Sequence, residues 1–176
     1  MDLLLVRHAI AEDRATFART GKDDGLRPLT PQGRKKMERA AEGIRQIFWE
    51  LDLLASSPLV RASQTAEILA EAYGGRDVAT VKALAPGGGS PAVAEWLRSQ
   101  RGKERVVLVG HEPDLGQLVG WFLTGDDTSL IELKKGAACL LALAGPPAPG
   151  KATLRWAMAP AQLRKLASSP DDEESA

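Results

Sequence analysis

Short apolar runs alternate with amphipathic stretches along the chain, and this alternation restricts the possible folds more than any other feature. Runs typical of buried strands occupy residues 2–6, 51–55, 78–84 and 105–109, and a stretch with helical periodicity follows each. This order is typical of an α/β domain with a mostly parallel sheet and helices on both faces. The length of 176 residues suits a single domain. Two later runs, 139–144 and 153–158, flank a Gly- and Pro-rich loop and predict a hairpin.

Two cap signals predict where helices begin. Thr30-Pro31 combines a good N-cap residue with proline at the first helical position, and Ser57-Pro58 repeats the combination. The final helix is predicted over residues 160–166. Residues 9–29 form the longest segment without a clear pattern, and such loops are often functional or mobile. We expect one domain over residues 1–167, followed by an acidic, disordered tail over 168–176.

Charge and cysteine content exclude several functional classes. The chain has 23 basic and 23 acidic residues, so it lacks the net positive charge of a nucleic-acid or polybasic membrane binder. A single cysteine excludes an internal disulfide and a four-cysteine zinc site. No apolar run approaches the length of about 20 residues that a membrane helix needs. We therefore expect a cytoplasmic protein without nucleic-acid or membrane partners.

The only two histidines occupy equivalent positions in the predicted sheet. His8 follows the first strand, and His111 follows the run at 105–109. Ligands of open parallel sheets bind at the carboxyl ends of the strands. Both imidazoles are therefore expected at one crevice, where they would act together.

Two arginines complete a site suited to a phosphoryl group. Arg7 precedes His8, and Arg61 is expected in the first turn of the helix opened by Ser57-Pro58. Arginine presents a planar fork that matches phosphate oxygens, and a helix N-terminus adds unpaired N–H donors. A neutral imidazole is a competent nucleophile, and the surrounding cations would stabilise the transferred group. For Arg61 alone, a solvated helix-start cation is an equally good interpretation.

A metal site is an alternative interpretation of the same residues. Glu112 adjoins His111 and would complete a set of two histidines and one carboxylate with His8. Carboxylates are otherwise absent from the ends of the strongest strands. We therefore expect no metal and no cofactor.

Three motifs resemble the histidine phosphatase (phosphoglycerate-mutase-like) superfamily. They are LVRHA at residues 5–9, ASSPLVRASQTA at 55–66 and VLVGHEP at 107–113. RPLT at 27–30 with Gly33, together with the short length, is similar to the SixA-type phosphohistidine phosphatases within that superfamily. The resemblance extends from Met1 to about Leu166 and implies that superfamily's fold without a large cap insertion.

The resemblance also implies a role for each matching residue. His8 matches the nucleophile that becomes phosphorylated, while Arg7, Arg61 and His111 match the phosphate pocket. Arg27 matches a substrate contact of the subgroup, although a structural arginine before a helix cap is an equally good interpretation. The implied activity is metal-independent hydrolysis of a protein phosphohistidine through a covalent phosphohistidine enzyme, with a histidine-phosphotransfer domain as one possible substrate.

Two departures from the superfamily pattern bear on the substrate. Ala9 stands where glycine is usual after the nucleophile, and alanine is limited to ordinary backbone angles, so we expect a slightly different local turn. The loop at 84–89 contains no acid where many relatives carry a glutamate proton donor. An alcohol leaving group needs such a donor more than a phosphoramidate nitrogen does, which favours phosphohistidine. Glu12 and Asp13 are possible substitutes, or simply solvated loop charges.

Two further hypotheses remain open. The same chemistry could act on a small phosphorylated metabolite, or the domain could bind a phosphorylated partner without turnover. The basic helix face around residues 34–39 is typical of solvated surface, and it could also help to dock an acidic protein.

Overall fold

The computed structural model of the chain describes residues 1–167, so the predicted tail at 168–176 lies outside the described residues. The strands are β1 (Asp2–Arg7), β2 (Leu53–Ser56), β3 (Val78–Thr80), β4 (Arg105–Gly110), β5 (Ala138–Leu143) and β6 (Ala152–Met158). The helices are α1 (Arg14–Ala18), α2 (Pro31–Ile47), α3 (Val60–Ala72), α4 (Ser90–Ser99), α5 (Asp114–Thr124) and α6 (Pro160–Leu166).

These strands form one sheet in the order β3-β2-β4-β1-β5-β6. The pairs β3–β2, β2–β4 and β4–β1 are parallel, whereas β5 runs antiparallel to both β1 and β6. The predicted α/β class and the hairpin of the last two strands are therefore confirmed.

Helices cover both faces of the sheet and explain why residues 3–6 of β1 are all apolar. Leu4 and Val6 face the core formed with α2, α3 and α6, while Leu3 and Leu5 face the core formed with α4 and α5. A strand buried on both faces cannot alternate apolar with polar residues. None of the helices within residues 1–167 is long and apolar enough to cross a membrane.

One of the two predicted helix caps is confirmed, and the other is wrong. Thr30 caps α2, because its hydroxyl oxygen accepts the backbone N–H of Gly33 at 2.9 Å. The helix predicted from Ser57-Pro58 begins only at Val60, and its N-cap residue, Leu59, makes no side-chain cap bond. The Ser57 hydroxyl is instead hydrogen-bonded to an imidazole in the site described below.

Three other local predictions differ from the structure. The second strand lies at Leu53–Ser56 rather than 51–55. The strand predicted over 78–84 ends at Thr80, because its partner β2 ends at the paired residue, Ser56. Residues 9–29 are not wholly irregular, since they contain α1 and a 3-10 turn at Asp24–Leu26. A bridge between Ala11 and Leu29 joins the two ends of this loop.

The topology brings distant parts of the chain to one edge of the sheet. The carboxyl ends of β1, β2 and β4 lie at this edge, because the three strands are parallel and adjacent. The antiparallel strand β5 begins at the same edge, where Ala138 pairs with Val6. The segment before β5 therefore runs past the residues that follow β1.

Candidate active site

A pocket of about 620 Å³ lies at the carboxyl edge of the sheet. Its lining residues are Arg7, His8, Ala11, Glu12, Asp13, Arg14, Asp24, Arg27, Leu59, Arg61, Pro86, His111, Glu112 and Lys135. The structure thus brings every site residue predicted from the sequence, from the two histidines to the loop acids, into one pocket.

The two imidazoles are neighbours because their strands are neighbours. Arg7 aligns with Gly110 in the β1–β4 pairing, so His8 and His111 each lie one residue beyond the paired ends. The backbone N–H of His8 donates to the Gly110 carbonyl oxygen at 3.0 Å. The ring centroids are 5.1 Å apart, and both side chains are buried.

The tautomer and the charge of His8 are set by its hydrogen bond to Ala9 and by its burial. The Nδ1 atom lies 2.8 Å from the Ala9 carbonyl oxygen. A carbonyl only accepts, so Nδ1 carries the proton and Nε2 keeps its lone pair. The pKa of His8 is lowered to about 3, mainly by burial and to a smaller extent by the neighbouring His111, Arg61 and Arg7, against the opposing Ala9 bond. His8 is therefore neutral near pH 7 and suited to nucleophilic attack.

His111 is held by the serine that was expected to cap a helix. Its Nε2 atom lies 2.8 Å from the Ser57 hydroxyl oxygen, which also accepts the backbone N–H of Leu59. Burial lowers the pKa of His111 to about 4, and the positive charges of Arg61 and Arg7 contribute to the shift. The other ring nitrogen, Nδ1, is buried and has no hydrogen-bond partner among residues 1–167.

Both guanidinium groups are fixed by backbone carbonyls. One terminal nitrogen of Arg7 donates to Leu133 at 2.6 Å, and one of Arg61 donates to Asp24 at 3.0 Å. The Nε atoms of both arginines are buried without a partner within residues 1–167, as is His111 Nδ1. An unsatisfied buried donor costs about 1–3 kcal/mol. Such a group of unsatisfied polar atoms in one pocket is suited to an anion.

Asp24 connects the loop at 9–29 to the pocket. Its carboxylate pairs with Arg27 at 2.8 Å, with Arg61 at 3.3 Å and with the exposed Arg14 at 3.7 Å. The hydrogen bond from Arg27 is the main reason that the pKa of Asp24 is lowered. Asp24 therefore stays ionised and fixes the position of Arg61.

Arg27 is buried and its polar atoms are used within the loop. Nε donates to Asp24 at 2.8 Å, and a terminal nitrogen donates to the Glu12 carbonyl at 2.9 Å. This geometry makes Arg27 a brace for the loop, while its position on the pocket wall leaves a substrate contact open.

The two acids of the loop differ in suitability as proton donors. The Asp13 carboxylate caps α1 and accepts both the backbone N–H and the hydroxyl of Thr16. These bonds lower the pKa of Asp13, so it holds its negative charge and donates a proton poorly. Glu12 is exposed on the pocket wall, and within residues 1–167 it accepts side-chain donors through its backbone carbonyl and not through its carboxylate. The geometry therefore favours Glu12 over Asp13.

Ala9 adopts ordinary backbone angles. Within residues 1–167 every residue with positive φ is a glycine. The backbone N–H of Ala9 donates to the Thr65 hydroxyl oxygen at 3.0 Å, which joins the turn to α3. Alanine after the nucleophile is thus compatible with this turn.

Sequence analysis missed the roles of Glu112 and Lys135 at this pocket. Glu112 accepts the backbone N–H of Leu133 at 2.9 Å and that of Gly116 at 3.3 Å. Because the Leu133 carbonyl holds Arg7, Glu112 positions Arg7 through the backbone. Burial raises the pKa of Glu112, against these two bonds. The local sequence pattern does not indicate that Lys135 lies at the pocket, because only the antiparallel pairing of β5 with β1 brings it there.

The alternative of a metal site lacks a suitable group of ligands. Within residues 1–167, no three His, Cys, Asp or Glu side chains lie close enough together to bind one metal ion. Glu112, which the sequence offered as the third ligand, uses both carboxylate oxygens on backbone donors.

Comparisons with known proteins agree with the fold. A sequence profile of the histidine phosphatase superfamily (branch 1) matches residues 3–85, which include Arg7, His8 and Arg61. An uncharacterized protein of Picosynechococcus sp. is 39% identical over 137 residues, 77% of this chain and 81% of that protein. The phosphohistidine phosphatase SixA of Escherichia coli is 26% identical over 167 residues, 93% of this chain and 97% of that protein.

A solved structure of a phosphatase has the same fold as this chain. The protein histidine phosphatase SixA, complexed with tungstate, superimposes with a TM-score of 0.79 at 25% identity, covering 93% of this chain and 99% of that one. The chain therefore belongs to the histidine phosphatase superfamily, resembles its SixA-type members, and is a hydrolase of the phosphatase class.

Proposed function

We propose that the protein hydrolyses phosphohistidine on a partner protein and that His8 is the nucleophile. The observation that carries the proposal is the group of buried, unpartnered polar atoms, Arg7 Nε, Arg61 Nε and His111 Nδ1, around a neutral imidazole. Phosphoryl oxygens would satisfy these atoms and would be held beside His8. Similarity to the phosphohistidine phosphatase SixA supports the substrate class. A cytoplasmic location stays a prediction.

The proposed reaction has two displacements. In the first, the Nε2 lone pair of His8 attacks phosphorus and the P–N bond to the substrate imidazole breaks. The substrate nitrogen leaves with the bonding pair and takes a proton. In the second, water attacks phosphorus, the bond to His8 breaks, and inorganic phosphate is released with His8 regenerated. Nδ1–H stays bonded to Ala9 throughout, which orients the ring.

Charge stabilisation is assigned to the residues around His8. Arg7 and Arg61 would bind the equatorial oxygens of the transferred group through fixed guanidinium donors. His111, with Nε2 accepting from the Ser57 hydroxyl, would donate Nδ1–H to the same group. These donors are held before substrate arrives, so little reorganisation is needed during transfer.

Proton delivery to the leaving group favours a P–N bond over an ester. Pro86 lies on the wall where the sequence lacks the glutamate of other relatives. Glu12 remains as the proton source, because Asp13 is occupied as a helix cap and both carboxylate oxygens of Glu112 accept backbone N–H groups. The nitrogen of a phosphoramidate accepts a proton more readily than an alkoxide leaving group, which relaxes the need for a strong acid.

A substrate panel tests the proposal directly. Purified protein is assayed with a histidine protein phosphorylated by phosphoramidate and with small phosphate monoesters. We expect release of phosphate from the phosphohistidine protein, no effect of a chelator, inhibition by vanadate, and no turnover by His8→Ala. A phosphoenzyme that is stable in base and labile in acid should form in the wild type only.

Other outcomes would decide between the alternatives. Turnover of small esters without action on phosphohistidine would establish a metabolite phosphatase. Binding without phosphate release, in the wild type as in His8→Ala, would establish a binding module. Loss of activity on chelation would contradict the metal-independent reaction.

Variants of the arginines test the pocket assignment. Arg7→Ala and Arg61→Ala should each lower kcat/KM by more than tenfold, with a loss of about 3 kcal/mol for one strong charged contact in the transition state. Arg101→Ala, at an exposed position before β4, is the matched control and should have wild-type kinetics. A loss below tenfold for either pocket variant would contradict the assignment.

A further inference from the structure

A second cavity of about 170 Å³ lies beside the active-site pocket, between α2, α6 and the residues that follow His8. Lys135 lines both cavities, and Ala9, the neighbour of the nucleophile, lines the second. We call this second cavity the side groove. A ligand attached to the phosphoryl group could therefore extend from His8 into the side groove.

The side groove combines an apolar floor with a positively charged rim. Met37 and Ala40 of α2 form part of the floor, and both are buried. Lys36, Lys135 and Arg164 lie on the rim, and the lining within residues 1–167 includes no acid. None of these three cations forms an ion pair with another residue in that described range.

We propose that the side groove docks an acidic segment of the phosphohistidine-bearing protein, with an apolar side chain on the floor and carboxylates facing the rim. This inference rests on the proposed function and names the substrate feature that the site selects. Charge complementarity identifies the occupant, because three cations with no acid among the described lining residues favour a negatively charged partner. A compact metabolite bound at His8 would leave Lys36 and Arg164 unused, since these two cations line only the side groove.

The side groove is tested with matched peptides on the full-length protein. Each synthetic peptide carries one phosphohistidine and one leucine. One peptide has three glutamates next to these residues, and the other has glutamines at the same positions. We expect the wild type to hydrolyse the glutamate peptide with a kcat/KM about three- to tenfold higher, mainly through KM, as expected for exposed charge pairs.

Charge reversal on the rim should remove this preference. Lys36→Glu combined with Arg164→Glu is expected to lower kcat/KM for the glutamate peptide to, or below, that for the glutamine peptide. A third peptide with lysines at the same positions should become the best substrate of the double variant. The matched control, Arg101→Glu with Lys103→Glu, reverses two exposed cations before β4, outside the side groove, and should keep the wild-type preference. Thermal melting checks that both variants are folded.

The outcomes separate this inference from the proposed function. Equal kcat/KM for the glutamate and glutamine peptides in the wild type would overturn the side groove while leaving the phosphohistidine activity intact. Failure to hydrolyse any of the peptides, with hydrolysis of small esters, would overturn the proposed function itself. Equal losses on both peptides in the rim variant would also overturn the inference, since they would indicate a structural defect.

Discussion

At the scale of single residues, the site depends on how the two imidazoles are held. His8 uses Nδ1 on the Ala9 carbonyl, and His111 uses Nε2 on Ser57, so different nitrogens are engaged in the two rings. Burial is the largest cause of the lowered pKa of both. Desolvation disfavours the imidazolium form, which keeps the nucleophile neutral at pH values where a free histidine is largely protonated.

We predict that both rings stay neutral down to about pH 5, because burial lowers both pKa values well below 6.5. Ring nitrogen NMR checks this, and the chain has only two histidines to assign. His8 should show the Nδ1–H tautomer at pH 7. His8→Ala and His111→Ala each leave one ring and so provide the assignment. A titration midpoint near 6.5 for either ring in the wild type would contradict the prediction.

At the scale of elements, residues 133–136, just before β5, cross the site and bind both Arg7 and His8; we call this segment the strap. The backbone N–H of Gly136 donates to the carbonyl oxygens of both Arg7 and His8 at 3.2 Å. Leu133, in the same segment, is fixed by Glu112 and in turn fixes Arg7. The strap therefore couples the start of α5 to the end of β1.

Removing the Glu112 carboxylate should weaken this strap. Glu112→Ala leaves two backbone donors without their acceptor, at a cost of about 1–3 kcal/mol in the free energy of unfolding. Glu112→Gln keeps one acceptor oxygen and should lose less, both in urea unfolding and in kcat/KM. The control, Glu95→Ala at an exposed position on α4, should be neutral. If Glu112→Ala were as stable as Glu112→Gln, the carboxylate would not hold these two backbone donors.

The start of α2 makes a second close contact with the site. A Cβ added at Gly33 would overlap the Ile10 carbonyl oxygen, which accepts the backbone N–H of Thr30 at 3.0 Å. Only glycine lets α2 approach the backbone that follows His8 so closely. A comparable approach at Gly43 involves the Leu163 carbonyl of α6, away from the pocket.

Gly33→Ala and Gly43→Ala therefore form a matched pair. Each should destabilise the protein by about 1–3 kcal/mol through overpacking, as measured by urea unfolding. Under conditions where the protein is folded, only Gly33→Ala should also lower kcat/KM, because it displaces the turn after the nucleophile. Gly145→Ala, whose Cβ would meet nothing within 4 Å, is the neutral control. Unchanged kinetics in Gly33→Ala would show that α2 does not hold this turn.

At the scale of the whole molecule, burying two histidines makes stability depend on pH. The folded pKa values, about 3 for His8 and about 4 for His111, lie below the ordinary value of 6.5. At pH values between the folded pKa values and 6.5, the unfolded chain binds more protons than the folded one, so protonation favours unfolding. The stability from the neutral rings is complete above pH 6.5 and is lost as the pH falls toward the folded values.

We expect the free energy of unfolding to fall by roughly 2 kcal/mol for each histidine between pH 6.5 and pH 5. Across this interval the histidine is protonated in the unfolded chain and neutral in the folded one, so the width of the interval sets the loss. Urea unfolding at a series of pH values measures the slope. His8→Gln and His111→Gln should each remove about half of the slope. Below about pH 4 the ion-paired Asp24, whose pKa is lowered, should add a further loss. A flat profile from pH 7 to pH 5 would contradict the burial of neutral rings.

The amino-acid sequence by itself determined the layered α/β class, the Thr30 cap and the placement of both histidines at strand ends. Each follows from local periodicity or from the rule that parallel strands end at one edge. Tertiary structure alone decided that Ser57 holds a histidine instead of capping a helix, that Asp24 fixes Arg61, that Glu112 binds the backbone of Leu133, and that Lys135 reaches the pocket. Those contacts join residues far apart in the chain, and the antiparallel entry of β5 leaves no trace in local spacing.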